Sequence, residues 1–303
     1  MRGVFIDANK SLADIFERQR KPGDPEVNVN LNPDITAEDV PAALGGAGII
    51  IVDHTQLPTD IAIKCAGLKH VVFLGTGARS YMNPEELSEI GIAVHLIKGY
   101  GDTAVAECAI ALMWAAARGL AAMDRGMRAG NWLRDDAMQL TGKTLGLIGF
   151  GGIAAETARI ALGSGLRVIA WNRTPKNFAG VEFVSLEKLL ASSDVVSLHL
   201  LLNDETRGLI TGKHIAAMKP GVILVNTARG AIVDETAMID ALKSGHIRHA
   251  GLDVFNIEPL PADHPLTKLP NVTLSAHSAF RTPEASENLI HAAWEHCRRI
   301  VKG

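Results

Sequence analysis

The chain has 303 residues, of which 47% are hydrophobic and 21% are charged, and its formal net charge is −3. This length predicts about two domains with sizeable cores, and the charge argues against nucleic acid or an anionic membrane surface as a partner. The cysteines Cys65, Cys108 and Cys297 lie far apart, which suits a reducing compartment. The N-terminus turns polar too early for a signal peptide, so we expect a cytoplasmic protein.

The first part of the chain alternates short apolar runs with amphipathic segments. The runs predict strands at residues 4–6, 47–52, 70–74 and 92–96, and helices at residues 11–18, 37–44, 58–65 and 84–90. A long alanine-rich helix is predicted over residues 103–128. Its most apolar part, residues 104–117, is too short to span a bilayer and contains Glu107.

A second alternating series follows this helix. Strands are predicted at residues 144–148, 166–171, 195–198, 222–226, 250–254 and 272–275, and a last helix at residues 283–301. Near-continuous apolar strands that alternate with helices are typical of parallel sheets covered on both faces. The predicted fold class is therefore α/β, with two doubly wound parallel-sheet domains of Rossmann or flavodoxin type and a cleft between them. We expect a substrate domain of residues 1–98 plus 283–303 and a dinucleotide-binding domain of residues 99–282.

The most informative motif is a glycine turn between an apolar strand and a helix. Gly149 would permit the tight turn, and Gly151 would let the backbone approach a pyrophosphate at the N-terminus of the helix. Ala154 stands at the third position, a variant that the dinucleotide fingerprint allows. The flanking strand and helix favour a dinucleotide site over an ordinary turn.

The end of the next strand bears on which nicotinamide cofactor is used. An NAD-selective site would place an acid there to bind the ribose 2′-hydroxyl, but this chain has Asn172, followed by Arg173 and Thr174, with Lys176 nearby. A guanidinium can bind a 2′-phosphate through two charge-assisted hydrogen bonds. The sequence therefore favours NADP, and NAD stays open as an alternative.

Three polar residues follow later strands, where a doubly wound sheet binds its ligands. Arg229 lies in the stretch 219–234, Glu258 follows the strand ending at residue 254, and His277 follows the last strand. With these residues in place, the chain resembles the D-isomer-specific 2-hydroxyacid dehydrogenases. The stretch 219–234 is similar to that family's most specific motif, and the stretch 189–206 to a second one.

The resemblance implies an NAD(P)-dependent reduction of a small 2-oxo acid to the D-2-hydroxy acid, most like the NADP-using glyoxylate/hydroxypyruvate reductases. It implies that Arg229 binds the substrate, that His277 donates the proton, and that Glu258 lies against His277. The implied substrate-binding residues are Thr76, Gly77, Arg229 and His277. The implied cofactor-binding residues are Gly149, Gly151, Gly152, Ile153, Asn172, Arg173, Thr174, His199, Leu200, Thr206, Thr227 and Asp253.

Several residues depart from the family pattern. Residues common in the family are replaced by Leu96, Lys98, Cys108, Leu201 and Ala276, which leaves the loop shapes and the identity of the 2-oxo acid open. Phosphoglycerate-type members tend to carry an arginine after the third strand, where this chain has Asp53 and His54. An acid there would repel a substrate phosphate, which argues against 3-phosphoglycerate.

The predicted partners are a second copy of the chain and a small-molecule substrate. By resemblance we expect a homodimer joined through residues 118–140, with Met123, Met127, Trp132, Leu133 and Met138 as its exposed apolar candidates. The spacings of His246 with His249, and of His291 with His296, do not suit metal binding, so no metal is expected. The alternatives are a non-catalytic dinucleotide-sensing protein of the same fold, a phosphoglycerate dehydrogenase-like activity and, least favoured, a methyltransferase.

Overall fold

A computed structural model describes residues 1–134, 136–174 and 176–303. Its strands are β1 (Gly3–Phe5), β2 (Val27–Val29), β3 (Ile49–Val52), β4 (His70–Phe73), β5 (Ala93–Leu96), β6 (Thr144–Ile148), β7 (Arg167–Trp171), β8 (Val181–Phe183), β9 (Val195–Leu198), β10 (Val222–Asn226), β11 (Ile247–Leu252) and β12 (Val272–Leu274). Its helices are α1 (Lys10–Gln19), α2 (Val40–Leu44), α3 (Thr59–Ala62), α4 (Pro84–Glu89), α5 (Asp102–Arg118), α6 (Leu120–Arg128), α7 (Gly152–Gly163), α8 (Leu186–Ser192), α9 (Gly212–Ala216), α10 (Glu235–Ser244), α11 (Pro265–Lys268) and α12 (Pro283–Lys302).

The chain divides into two compact units. The first consists of Met1–Gly101 together with Thr282–Gly303, and the second is Asp102–Arg281. Each unit contains one parallel sheet, so the predicted α/β class with two parallel sheets is confirmed.

The sheet of the first unit has the strand order β2-β1-β3-β4-β5, with every pair parallel. Alternate residues of β3 enter different cores, because Ile49 and Ile51 pack on one face whereas Ile50 and Val52 pack on the other. Val52 pairs in register with Phe73. The loops that follow β3 and β4 therefore leave the sheet at the same edge.

The C-terminal helix α12 belongs to this first unit. Trp294 is fully buried, stacks on Phe16 at a ring distance of 4.2 Å, and donates from Nε1 to the Phe16 carbonyl oxygen at 3.0 Å. The guanidinium carbons of Arg20 and Arg298 lie 5.2 and 5.6 Å from the centroid of the same ring. Burying a side chain of this size contributes about 3 kcal/mol to the free energy of unfolding. The burial of Trp294 therefore holds α12 against α1.

The sheet of the second unit has the order β12-β11-β10-β9-β6-β7-β8, also parallel throughout. The order reverses between β6 and β9, which is the switch point where such sheets bind ligands beyond their carboxyl ends. Strand β6 is buried along its whole length, with Leu145 and Leu147 in one core and Ile148 in the other. The glycine turn therefore begins at the switch point.

The secondary structure differs from the prediction in two respects. The helix predicted over residues 103–128 is two helices, α5 and α6, because Gly119 has φ +62° and the axis bends by 64° there. The edge strands β2 and β8 were not predicted, because a polar residue, Asn28 or Glu182, interrupts the apolar residues of each short strand. No single helix in the described ranges has the length and apolarity to cross a membrane, and α5 with α6 meets those criteria only as a bent pair.

Candidate dinucleotide and catalytic site

The glycine turn after β6 is fixed by its two neighbouring strands. Gly149 has φ +88°, and a β carbon on it would lie 2.5 Å from the His199 carbonyl oxygen beyond β9. Its amide donates to the Trp171 carbonyl oxygen at 2.9 Å. Residue 149 must therefore be glycine, both for its backbone conformation and for its close packing.

The next residues open the N-terminus of α7. Gly151 is the N-cap of this helix, and a β carbon there would meet nothing within 4 Å. At Gly152, by contrast, the Asp102 carboxylate occupies the position that a β carbon would take. The amides of the first turn, including that of Ile153, have no intrahelical acceptor and can bind an anion from the open Gly151 side.

Two buried polar atoms near the carboxyl edge of this sheet have no partner in the described chain. They are His199 Nδ1, just after β9, and Thr227 Oγ1, just after β10. Burial lowers the pKa of His199 to about 4, so its imidazole is neutral, and its Nε2 lies 2.9 Å from Ser197 Oγ. Unpartnered buried groups beside an open glycine turn fit a bound dinucleotide that would complete their hydrogen bonds.

The end of β7 carries the residues expected at the adenosine ribose. Asn172 Oδ1 accepts from the Phe150 amide at 3.0 Å, and its Nδ2 donates to the Thr174 carbonyl oxygen at 2.6 Å. Arg173 forms an exposed ion pair with Glu205. The structure thus places an amide where an NAD-selective acid would stand, and it places a cation next to it.

His277 and Glu258 are paired directly. His277 Nδ1 lies 2.6 Å from Glu258 Oε2, while Glu258 Oε1 accepts from the Phe255 amide at 2.8 Å. His277 has φ +49°, a conformation that a non-glycine residue adopts at a cost of about 1 kcal/mol. The imidazole is therefore held at Nδ1, and Nε2 is the nitrogen left to exchange a proton with a substrate.

Asp253 holds the loop that carries this histidine. Its buried carboxylate accepts from the amides of Ser278 and Ala279, each at 3.0 Å, and its carbonyl oxygen accepts from the His277 amide at 2.7 Å. Both carboxylate oxygens are thus engaged by the His277 loop. The structure shows Asp253 as a positioning residue for His277, a role that the sequence did not predict.

Arg229 lies on the turn after β10. Asn226 is buried and braces this turn, since it accepts from the Ala228 amide at 2.9 Å and donates to the Arg229 carbonyl oxygen at 3.0 Å. The Arg229 guanidinium donates from Nη1 to the Ala228 carbonyl oxygen at 2.7 Å, and no acidic side chain pairs with it within the described ranges. Its remaining N–H groups can bind a carboxylate in the bidentate manner of arginine.

The Arg229 turn also packs against the Glu258 loop. A β carbon on Gly230 would collide with the Phe255 carbonyl carbon and with the Asn256 amide. The glycine therefore permits a close approach that brings the backbone of the Arg229 turn against the loop that ends in Glu258.

The other predicted residues lie in two places. Leu200 packs beside Gly149, and Thr206 closes a turn by accepting from the Asn203 amide at 2.8 Å and donating to the Leu201 carbonyl oxygen at 2.6 Å. Thr76 and Gly77 follow β4 in the first unit. The described residues contain no group of three or more His, Cys, Asp or Glu side chains that could hold a metal ion.

Sequence reasoning missed three polar residues of the second unit: Asp102, Glu205 and Asn226. Asn226 is the polar last residue of an otherwise apolar strand, which was a usable signal. Asp102 and Glu205 are distant in sequence from the groups that they contact, at Gly152 and Arg173, so no local pattern reveals them.

Comparison with known proteins identifies the family. Residues 110–279 match the model described as D-isomer specific 2-hydroxyacid dehydrogenase, NAD binding domain. The chain belongs to this family. The chain is therefore an oxidoreductase that uses a nicotinamide dinucleotide cofactor, in agreement with the reductase names of its relatives.

Several relatives cover most of the chain. A hydroxypyruvate reductase from Blautia hydrogenotrophica is 32% identical, over 88% of this chain and 86% of the relative. A glyoxylate reductase from Thermococcus litoralis is 40% identical, over 72% of this chain and 70% of the relative. The chain also matches proteins named D-3-phosphoglycerate dehydrogenase, of which it spans about half the length.

Among solved structures, an acyclic imino acid reductase in complex with NADPH and D-Arg is similar to this chain. The TM-score is 0.87 at 29% sequence identity, and the match covers 100% of this chain and 97% of the other.

Proposed function

We propose that this protein reduces a small, unphosphorylated 2-oxo acid, of the glyoxylate or hydroxypyruvate kind, to the D-2-hydroxy acid. The observation that carries the proposal is the 2.6 Å contact between His277 Nδ1 and Glu258 Oε2, on a loop anchored by Asp253. The relatives named hydroxypyruvate reductase and glyoxylate reductase support the same reaction class.

Each residue has a defined task in this reaction. A bound reduced nicotinamide would supply the hydride to the carbonyl carbon. His277 would donate a proton from Nε2 to the carbonyl oxygen as the alcohol forms, and Glu258 would hold the ring through Nδ1. Arg229 would bind the carboxylate and the carbonyl oxygen of the substrate.

A substrate screen tests this proposal. Purified protein is mixed with NADPH or NADH and with glyoxylate, hydroxypyruvate, pyruvate or 3-phosphohydroxypyruvate, and the loss of the reduced-nicotinamide absorbance is followed. We expect turnover with the small unphosphorylated acids and a D-configured product from hydroxypyruvate. Tight dinucleotide binding without turnover of any 2-oxo acid would instead favour a dinucleotide-sensing protein.

We further propose that NADP is preferred over NAD. Asn172 replaces the acid that would repel a 2′-phosphate, and Arg173 and Lys176 are the neighbouring cations. Arg173 is exposed and pairs with Glu205, so a 2′-phosphate would compete with that carboxylate for the guanidinium. An exposed ion pair of this kind contributes less than about 1 kcal/mol, so the exchange is feasible.

Two variants test the cofactor proposal. Arg173→Ala should weaken NADPH binding about tenfold or more and leave NADH binding within about twofold, because only NADPH carries the 2′-phosphate. Glu205→Gln should tighten NADPH binding, because it releases Arg173 from its competing carboxylate. Equal losses for both cofactors in Arg173→Ala would contradict the preference.

The region after β3 argues against a phosphorylated substrate. His54 Nδ1 lies 3.2 Å from Asp53 Oδ2, and His54 Nε2 lies 2.7 Å from the Pro33 carbonyl oxygen. Both ring nitrogens are thus occupied within the chain, and the carboxylates of Asp53 and Asp7 lie 3.2 and 3.8 Å from Nδ1. Inactivity towards 3-phosphohydroxypyruvate in the screen would agree with this arrangement.

We also propose a homodimer through residues 118–140, of which Asp135 lies outside the described residues. The exposed apolar side chains there include Met127, Trp132 and Leu133, and Trp132 is 75% exposed. Met123 and Met138, expected to be exposed, are half-buried, and Met138 packs partly against the core of the second unit. Sedimentation experiments on the wild type and on Trp132→Ser test this proposal. We expect a wild-type dimer that the substitution weakens, and a monomeric wild type would contradict the proposed homodimer.

A further inference from the structure

The carboxyl group of Asp102 lies in an unusual place for an acid. It stands at the first residue of α5 and occupies the space that a β carbon of Gly152 would fill, at the first residue of α7. Both helices belong to the second unit and pack against each other. An acid therefore sits directly against the backbone where a dinucleotide pyrophosphate would bind.

This carboxyl group has no compensating cation. Within the described ranges no Lys, Arg or His side chain forms an ion pair with Asp102, and the charged side chain that acts on it from α7 is Glu156, another acid. Partial burial raises the pKa of the Asp102 carboxyl, and Glu156 adds to this effect. The group is therefore already easier to protonate than an ordinary aspartate before any ligand binds.

A pyrophosphate carries two negative charges and would approach the same helix turn from the open Gly151 side. Two anions within a few ångströms at a partly buried site repel each other, and the repulsion is removed when one of them takes up a proton. The pyrophosphate is the stronger acid of the two, so the proton would go to Asp102.

We propose that Asp102 links dinucleotide binding to proton uptake: its carboxyl takes a proton from solvent when the pyrophosphate binds at the N-terminus of α7. This rests on the dinucleotide site of the proposed function, and it adds a pH dependence of cofactor affinity that the catalytic residues do not explain. Affinity would fall as pH rises, because the ionised carboxylate then opposes the ligand. The unpartnered His199 Nδ1 and Thr227 Oγ1 independently point to a ligand in this region.

The test uses NADH, which has the pyrophosphate but lacks the titrating 2′-phosphate of NADPH. Calorimetric titrations at about pH 6, in two buffers of different ionisation enthalpy, give the number of protons taken up on binding. Asp102→Asn and Asp102→Ser are compared with the wild type. Asp240→Asn, an exposed acid on α10, makes the same chemical change away from α5 and α7. His277 and Glu258 are present in every variant, so their contribution cancels in the comparison.

We expect the wild type and Asp240→Asn to take up a substantial fraction of a proton that both Asp102 variants lack. At about pH 8 the Asp102 variants should bind NADH about tenfold more tightly than the wild type, and this difference should shrink as the pH falls through the pKa of the Asp102 carboxyl group. Equal proton counts and parallel affinity curves in wild type and Asp102→Asn would overturn this inference while leaving the dinucleotide site intact. Failure of the wild type to bind NADH or NADPH would overturn the dinucleotide site itself, and this inference with it.

Discussion

At the scale of single residues, buried carboxylates position the loops at the sheet edges. Asp253 accepts from two amides of the His277 loop, and fully buried Asp7 in the first unit accepts from the amides of Asp53, His54 and Thr55. Each carboxylate exchanges its water for several N–H donors, which makes its burial tolerable and fixes the backbone around it.

His54 gives a prediction at alkaline pH. Its hydrogen bond with Asp53 raises the pKa of His54 to about 9, with a further contribution from the charge on Asp7. Because the folded value lies above the unfolded value of 6.5, this stabilisation is complete below pH 6.5 and is lost as pH rises through about 9. The side chain is 43% exposed, so solvent screening reduces the effect to about 1 kcal/mol.

Urea unfolding checks this prediction. His54→Ala should lower the free energy of unfolding by about 1 kcal/mol at pH 6 and by much less near pH 10, where the wild-type imidazole has also lost its proton. A difference between the two proteins that stays constant across this range would show that the charge on His54 does not stabilise the fold.

The residue types and positions of Arg229, Glu258 and His277 could be taken from the sequence, because each follows a recognisable strand. The contacts that hold the loops of these residues in place could not be predicted from the sequence. Asp253 and Ser278 are 25 residues apart, and the conformation of His277, with φ +49°, has no sequence signal of the kind that glycine provides. Such contacts depend on how loops from separate strands meet.

At the scale of elements, Gly230 joins two loops that carry functional side chains. Gly230→Ala would force the Arg229 turn away from Phe255 and Asn256, since its β carbon would collide with their backbone. We predict a fall in kcat/KM of about 100-fold or more, because a displacement of about 1 Å costs that much in a positioned site. Steady-state kinetics with glyoxylate measure it.

Gly163→Ala is the matched control for this change. Gly163 is the last residue of α7, and a β carbon there would meet nothing within 4 Å. Gly163→Ala should have a kcat/KM within about twofold of the wild-type value. It should not destabilise the protein, because alanine favours helix more than glycine does. If Gly230→Ala behaves in the same way, the close packing of the two loops is not needed for activity.

A cluster of three histidines, His70, His95 and His296, joins β4, β5 and α12 in the first unit. His70 Nδ1 lies 3.2 Å from His95 Nε2, and the rings of His95 and His296 are 5.4 Å apart. Burial lowers the pKa of each, and the positive charges of Lys69 and Arg299 add to the effect. The unfolded chain therefore binds more protons as pH falls through 6.5, and the fold loses stability there.

We predict that the free energy of unfolding falls by about 1 kcal/mol more in the wild type than in His95→Gln when the pH is lowered from 7.5 to 5. Glutamine keeps a polar side chain at this position but cannot titrate. Urea midpoints at the two pH values measure this difference. His291→Gln, an exposed position on the same helix, should follow the wild type. Identical acid sensitivity in wild type and His95→Gln would contradict the role of the histidine cluster.

The regular elements were largely predictable, for a physical reason. Buried parallel strands such as β6, β9 and β10 are short, mostly apolar and bounded by turn residues, so their limits are visible in the sequence. The edge strands β2 and β8 lack such a pattern, because Asn28 and Glu182 interrupt their apolar residues. The break at Gly119 was missed because the residues on both sides favour helix.

At the scale of the whole molecule, the chain forms two units, each with its own sheet and cores. The second unit contains the glycine turn, Arg229, Glu258 and His277, whereas Thr76 and Gly77 belong to the first. The proposed dinucleotide contacts and the proposed catalytic residues Arg229, Glu258 and His277 all lie in the second unit.

The most direct test of the account is the rate of NADPH oxidation by His277→Asn at saturating glyoxylate, beside the wild type and with the NADPH dissociation constant measured for both. Loss of a general acid costs about 10²–10⁴ in turnover. We predict a fall of that size with NADPH binding unchanged within about twofold, since His277 acts on the substrate oxygen and not on the dinucleotide. Turnover within about threefold of the wild type would contradict the account.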